Sequence, residues 1–252
     1  MLEAYIIAQL HAVFMVFCRI GSAMMLMPGI GEFNVPIRVR LLLGIFISLI
    51  VAPVIADSIP KMPGNPAVLA VIISSEIVTG IFFGFLCRMI FSCLHTAGMI
   101  IAMQSSLAAA VLFDPSQGTQ GTAVGNFLSM VALTIMVTLN LHHLMLRGVV
   151  ETYGVFPPGA APPLGDFAAY LSTLLSSSFA VAFSLAGPIV AVSVLLYAIA
   201  GVLGRLMPQM QVFFVIVPMQ LLLTFFTLIV TLTGMMLLFT QHFENTVGGF
   251  IP

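Results

Sequence analysis

The sequence predicts an all-α membrane protein built of kinked helical hairpins, and two observations carry this prediction. Hydrophobic residues make up 61% of the 252 residues and charged residues only 6%, whereas a soluble domain carries about a quarter charged residues. Long apolar stretches approach or exceed the roughly 20 residues that a helix needs to cross a hydrocarbon core. The alternating strands typical of an outer-membrane barrel are absent, so each stretch is predicted to be helical.

The apolar stretches define six predicted helical units. In chain order they cover residues 10–28, 39–56, 66–102, 122–149, 167–203 and 211–240. The link from Tyr153 to Asp166 holds two Pro-Pro pairs, which favour extended backbone. We therefore predict a boundary there, between a part formed by residues 1–165 and a part formed by residues 166–252.

The second part has the pattern of an antiparallel helical hairpin. Its two arms are joined by a predicted turn that contains Gly204, Arg205, Pro208 and Gln209. Each arm also holds an internal proline, which frees a backbone carbonyl and bends a helix. We expect both arms to be kinked.

Composition and motifs exclude several functional classes. The net charge is -1 and the seven basic residues are scattered, so no basic surface is predicted for nucleic acid. The cysteines lie in apolar stretches without His or acidic residues at metal-ligand spacing. The only lysine, Lys61, follows Pro60 rather than a glycine-rich loop, and hydrolase motifs are absent. We expect no catalytic residues, no metal and no cofactor.

Three charged residues lie deep in the apolar stretches, and a charge in such a place requires a partner. They are Arg19, Glu76 and Arg88. Glu76 and Arg88 are twelve residues apart, about 18 Å along one helix, so they cannot pair with each other. We predict structural ion pairs at helix or subunit interfaces, and a proton relay is the alternative.

Gly80 and Gly84 form a small-xxx-small motif between Glu76 and Arg88. Small residues at this spacing allow two membrane helices to approach closely. Helix contact is one interpretation of the motif, and simple flexibility of a glycine-rich helix is the other.

The segment of residues 104–122 links two long helices and contains no lysine or arginine. Its tip is apolar and is followed by residues that stop a helix. The residues that mark it are Leu107, Val111, Leu112, Phe113, Asp114, Pro115 and Gly118. Such a tip could close a narrow pore against ions, and an ordinary re-entrant connection is the alternative.

Several short motifs recur in an order and spacing that resemble one family. They are Phe17-Cys18-Arg19, Val35-Pro36-Ile37-Arg38-Val39-Arg40, Thr96-Ala97-Gly98, Phe113-Asp114-Pro115, Asn140-Leu141-His142-His143 and Gly204-Arg205-Leu206-Met207-Pro208-Gln209 with Phe213 and Pro218 downstream. Together they resemble the FliR family of type III export-gate proteins of the flagellum. The resemblance covers nearly the whole chain.

The resemblance implies a subunit of a helical hetero-oligomeric export gate in the bacterial inner membrane, at the flagellar basal body. Its partners would be FliP and FliQ, with FlhB and FlhA as further ones, and its cargo unfolded flagellar proteins. Residues 1–165 would be similar to FliP and residues 166–252 to FliQ. The segment 104–122 would be the plug of the closed channel, and the alanines at 108–110 would leave Phe113 as its one bulky stopper.

Two other functions remain open at this point. The equivalent subunit of a virulence type III secretion injectisome would share the fold. A secondary transporter would also have proline-broken helices and a few buried charges.

Overall fold

The computed structural model describes residues 2–32, 35–105, 123–207 and 212–251 and is all-α across these ranges. The described residues form seven helices and one short 3₁₀ turn, Ala56–Ser58. The helices are α1 (Leu2–Leu26), α2 (Ile37–Ile55), α3 (Pro66–Gln104), α4 (Ala123–Thr138), α5 (Leu141–Val155), α6 (Leu164–Leu206) and α7 (Val212–Gly248). The predicted all-α membrane fold is confirmed.

Local sequence signals mark the start of α3 and both ends of α6. The side chain of Asn65 accepts a 2.9 Å hydrogen bond from the backbone N–H of Ala67, so Asn65 caps α3, and Pro66 occupies its first position. The acidic Asp166 lies in the first turn of α6 and the basic Arg205 in its last turn. Both charges complement the dipole of that helix.

The fourth predicted unit, 122–149, is a broken helix, so its prediction as one element is wrong. The axes of α4 and α5 differ by 77°. Asn140 separates them with a φ of 58°, in the left-handed region that asparagine tolerates better than most residues. The polar residues Asn140, His142 and His143 lie at this bend, within a stretch that is apolar on both sides of them.

The chain divides into two compact units whose limits fall within α3, α4, α6 and α7. The first unit comprises Met1–Ile90, Val137–Leu174 and Phe243–Pro252, and the second comprises Phe91–Met136 and Leu175–His242. The boundary predicted at the proline-rich link, between residues 1–165 and 166–252, stays a prediction.

An aromatic cluster lies in the core of the first unit. Phe82 stacks on Phe167 with ring centroids 3.9 Å apart. Phe156 and Phe250 meet Phe82 edge to face, both at 6.4 Å. This cluster packs the beginning of α6 and the end of the chain against α3.

The core of the second unit is also apolar, with Leu94, Ile101 and Leu128 fully buried. The rings of Phe91 and Phe239 pack edge to face there at 5.1 Å.

Five of the described helices are long and apolar enough to cross a membrane, and the bent pair α4–α5 is a sixth candidate span. Pro188 lies inside α6 and Pro218 inside α7, and each helix continues through its proline. The kinks expected at these prolines stay a prediction.

Candidate functional site

The centre of the first unit holds a buried ion pair between α1 and α3. Arg19 and Glu76 are each 1% exposed. The guanidinium of Arg19 donates from Nε to Oε2 of Glu76 at 2.7 Å and from Nη2 to Oε1 at 3.1 Å. This two-bond geometry is the strongest form of arginine–carboxylate contact, because both hydrogen bonds are charge-assisted and parallel.

Further groups complete the coordination of this pair. Nη1 of Arg19 donates to the backbone carbonyl of Phe156 at 3.0 Å and to the hydroxyl of Thr152 at 3.4 Å. The backbone N–H of Gly159 donates to Oε1 of Glu76 at 3.1 Å. The ion pair therefore fixes α1 and α3 to the end of α5 and to the link that follows it.

The face of Tyr153 lies against the same guanidinium, with the Cζ atom of Arg19 3.9 Å from the ring centroid. A cation over an aromatic face gains electrostatic attraction where water is excluded. The backbone φ of Gly159 is 79°, in the left-handed region that glycine adopts more readily than residues with a side chain. The positions of charged residues in the sequence do not indicate these partners, and the one sequence signal for Gly159 is its position after two prolines.

The network makes the pair suited to holding structure rather than to moving protons. Each oxygen of Glu76 accepts from Arg19, and Oε1 also accepts from a backbone N–H. Protonation of Glu76 would disrupt these bonds and leave the guanidinium buried without its counter-charge. Among the described residues, no group of three or more His, Cys, Asp or Glu gathers as a metal site.

The glycine pair of α3 lies directly against α1. A Cβ atom added to Gly80 would collide with the side chain of Ser22 and the backbone carbonyl of Arg19. A Cβ atom added to Gly84 would collide with the carbonyl of Ala23. The two helices approach closely at these positions, next to the Arg19–Glu76 ion pair.

Arg88 lies on a different face of α3 and is exposed on this chain. The other helices of this chain therefore do not bury Arg88. Positions four apart drift by about 40° around a helix, so three such steps carry Arg88 about 120° away from Glu76. A subunit interface for Arg88 stays a prediction.

The second unit contains a polar cluster at the end of α3. Gln220 of α7 is 1% exposed, and its side-chain amide donates to the backbone carbonyl of Gln104 and, at 3.0 Å, to the hydroxyl of Tyr197. Ser193 of α6 also donates to the Gln104 carbonyl, at 3.4 Å. These side chains satisfy a carbonyl that the end of a helix leaves without an intrahelical partner.

The cluster was not predicted, because neither Gln220 nor Tyr197 belongs to one of the sequence motifs described above. A glutamine in the middle of an apolar helix was the available signal, since an amide in such a place needs a partner. The cluster fixes the last residues of α3 immediately before the segment predicted to be a plug.

The remaining predicted site residues divide between the exposed surface and parts outside the described ranges. Gly204 and Arg205 are exposed in the last turn of α6. The others lie outside the described residues: Leu107, Val111, Leu112, Phe113, Asp114, Pro115, Gly118, Pro208 and Gln209.

Comparison with known proteins gives one consistent result. The model of the family described as bacterial export proteins, family 1, matches residues 10–246. The flagellar biosynthetic protein FliR of Caulobacter vibrioides is 34% identical over 96% of each chain. The FliR proteins of Bacillus subtilis and Escherichia coli are each 28% identical, over 96% and 85% of this chain and 94% and 82% of their own lengths.

Proposed function

This chain belongs to family 1 of the bacterial export proteins, and we propose that it is a subunit of the flagellar type III export gate, assembled with FliP and FliQ in the inner membrane. Its membership of this family and its apolar helices identify the chain as a membrane protein of the flagellar export apparatus. FlhB and FlhA would adjoin the same assembly.

The observation that carries the proposal is the apolar surface that this chain leaves exposed. On α2, Phe46, Ile50 and Val54 follow at intervals of four and are 62%, 71% and 80% exposed. On α7, Leu222 and Ile229 are 70% and 73% exposed. Apolar surface of this extent requires lipid or a partner protein to cover it. Because the family consists of export proteins, we propose that neighbouring subunits of one export channel bury these apolar faces.

Photo-crosslinking tests whether lipid or a partner protein covers the exposed faces of α2 and α7. A photoreactive residue placed at Ile50 or Ile229 in cells that assemble flagella should form crosslinks to FliP or FliQ. The control position is Leu128, which is fully buried within this chain and should give no intermolecular crosslink. Crosslinks to lipid alone from both exposed positions would contradict the proposed assembly.

The proposed mechanism is the opening and closing of a channel, with no bond chemistry in this chain. The segment 104–122, which has no lysine or arginine, would close the pore with its apolar tip. The Gln104 carbonyl would anchor its first end through Gln220 and Ser193. The energy for transport would come from other subunits of the apparatus.

Deletion of residues 108–113 tests the plug. Without the apolar tip, we expect cells that overproduce the complex to leak small ions, because a hydrophobic constriction excludes ions by excluding water. The measurement is membrane conductance, or uptake of a small ion, compared with cells that produce the unaltered complex at the same level. Unchanged conductance would argue against the plug.

Loss of motility separates the flagellar from the virulence assignment. A strain without this chain should form no flagellar filament, and a plasmid copy should restore filaments. Normal swimming in the deletion strain, with loss of an injectisome substrate from the medium, would assign the chain to a virulence apparatus instead.

A further inference from the structure

A cleft of about 260 Å³ lies between α1 and α2 in the first unit, with Ile77 of α3 at one side. Its walls are mainly the apolar side chains of Phe17, Met24, Met25 and Leu41. The volume is several times the ~30 Å³ that one water molecule occupies in the liquid, and such walls offer water few hydrogen bonds. The cleft therefore suits a flexible hydrocarbon chain better than ordered water.

The polar side chains at the cleft are Ser22 and Arg40, and only Arg40 is available to a ligand. The hydroxyl of Ser22 donates to carbonyls of its own helix, to Cys18 at 2.7 Å and to Arg19 at 3.0 Å. Arg40 makes one long hydrogen bond, from Nη1 to the carbonyl of Gly31 at 3.4 Å. Its Nε is buried without a hydrogen-bond partner in the described ranges.

Arg40 also has no ion-pair partner among the described residues. The ion pairs among the described residues are Arg19–Glu76 and Arg147–Glu151, and neither includes Arg40. The first turn of α2 contains no acidic residue. An arginine that lines an apolar cleft, with no described carboxylate in ion-pair distance, is complementary to a ligand that has an anionic head and an apolar tail.

The position of Arg40 along the helices agrees with such a ligand. Arg40 is the fourth residue of the candidate span Ile37–Ile55, so it lies near one end of that apolar helix. Met25 is next to the last residue of α1 at the same end of the cleft. Phe17 is eight residues earlier, about 12 Å along the helix. The charge of Arg40 at one end and the apolar side chains along α1 occur in the same order as the phosphate and the acyl chain of a phospholipid.

We propose that this cleft binds one anionic phospholipid, with its phosphate at Arg40 and part of one acyl chain between α1 and α2 towards Phe17. The proposal rests on the membrane character of the chain and does not depend on the export function. Such a lipid would fill the space between α1 and α2 and fix the beginning of α2.

Native mass spectrometry of the full-length chain, in the complex with which it is extracted, tests the proposal. The probes are dioleoyl phosphatidylglycerol and dioleoyl phosphatidylcholine, which share tails and differ in net charge. We expect the unaltered chain to retain phosphatidylglycerol preferentially. Arg40→Gln should lower that retention about fivefold, the effect of one basic residue on an anionic lipid surface.

Three further variants make the result specific. Arg40→Lys keeps the charge and should restore most of the preference for phosphatidylglycerol. Arg205→Gln removes an exposed charge elsewhere and should leave lipid retention unchanged. Ile77→Phe narrows the cleft while Arg40 remains, and it should lower retention of phosphatidylglycerol as well.

Two results would overturn the proposal. One is equal retention of the two lipids by the unaltered chain. The other is equal loss of phosphatidylglycerol in Arg40→Gln and Arg205→Gln, which would show that any surface charge has the same effect. Displacement of the lipid by millimolar inorganic phosphate would instead indicate a site for free phosphate and would also count against a lipid site.

Discussion

A single buried arginine of α1, Arg19, connects three helices of the first unit, α1, α3 and α5. The guanidinium of Arg19 contacts Glu76 of α3, Thr152 and Tyr153 of α5 and the carbonyl of Phe156 in the link that follows. The two charges contribute to stability only together, because each compensates the cost of removing the other from water. The sequence placed Arg19 and Glu76 in apolar stretches but could not pair them, since 57 residues separate them.

Loss of either partner of this ion pair should strongly destabilise the chain. We expect Glu76→Ala to lower the free energy of unfolding by about 3–5 kcal/mol, because Arg19 stays buried without its counter-charge. The measurement is chemical unfolding of the purified chain in mild detergent. Arg147→Ala, which breaks the exposed Arg147–Glu151 pair, should cost less than about 1 kcal/mol.

The double variant Arg19→Met with Glu76→Met gives the sharper comparison. It removes both charges and keeps apolar volume, so it should cost much less than the sum of the two single Met substitutions. Simple addition of the two single effects would show that the residues do not act as a pair.

At the scale of elements, close helix contact and helix ends decide the structure. The pattern of small residues at Gly80 and Gly84 drew attention to the face of α3 that meets α1, although it could not say which helix would be the partner. The predicted unit 122–149 passed over the break between α4 and α5, because long apolar stretches lie on both sides of the polar residues Asn140, His142 and His143. Helix limits marked by Asn65, Pro66 and the proline pairs were predictable within a few residues.

A methyl group on Gly84 should separate α1 from α3. We expect Gly84→Ala to destabilise the chain by about 1–3 kcal/mol, because the new Cβ would collide with the Ala23 carbonyl, which the backbone holds in place. The same substitution at Gly234, where a Cβ would meet nothing within 4 Å, should be neutral or stabilise by up to about 1 kcal/mol. Equal effects of the two substitutions on unfolding would show that α1 and α3 are not in close contact.

Removal of the amide of Gln220 should loosen the end of α3. Gln220→Leu leaves the Gln104 carbonyl without its main side-chain donor, at a cost of about 1–3 kcal/mol. Hydrogen exchange in residues 100–105 should become faster. Gln241→Leu changes an exposed glutamine on the same helix and should not alter exchange there. Unchanged exchange in Gln220→Leu would mean that the polar cluster does not fix this helix end.

At the scale of the whole molecule, composition determined the class of protein and motif order determined the family. A charged fraction of 6% required an apolar environment around most of the chain. Physical reasoning alone could not distinguish lipid from neighbouring subunits as that environment, because both bury the same side chains. The exposed faces of α2 and α7 raise the same question, which crosslinking from Ile50 and Ile229 in the assembled protein answers.

The mass of the complex extracted under gentle conditions tests the central claim most directly. Native mass spectrometry of the chain, tagged and released from the membrane in mild detergent, should give one large assembly that contains this chain together with several copies of FliP and FliQ. A chain that runs alone or as a small homo-oligomer, and that transports a small solute after reconstitution by itself, would contradict the account and favour a secondary transporter.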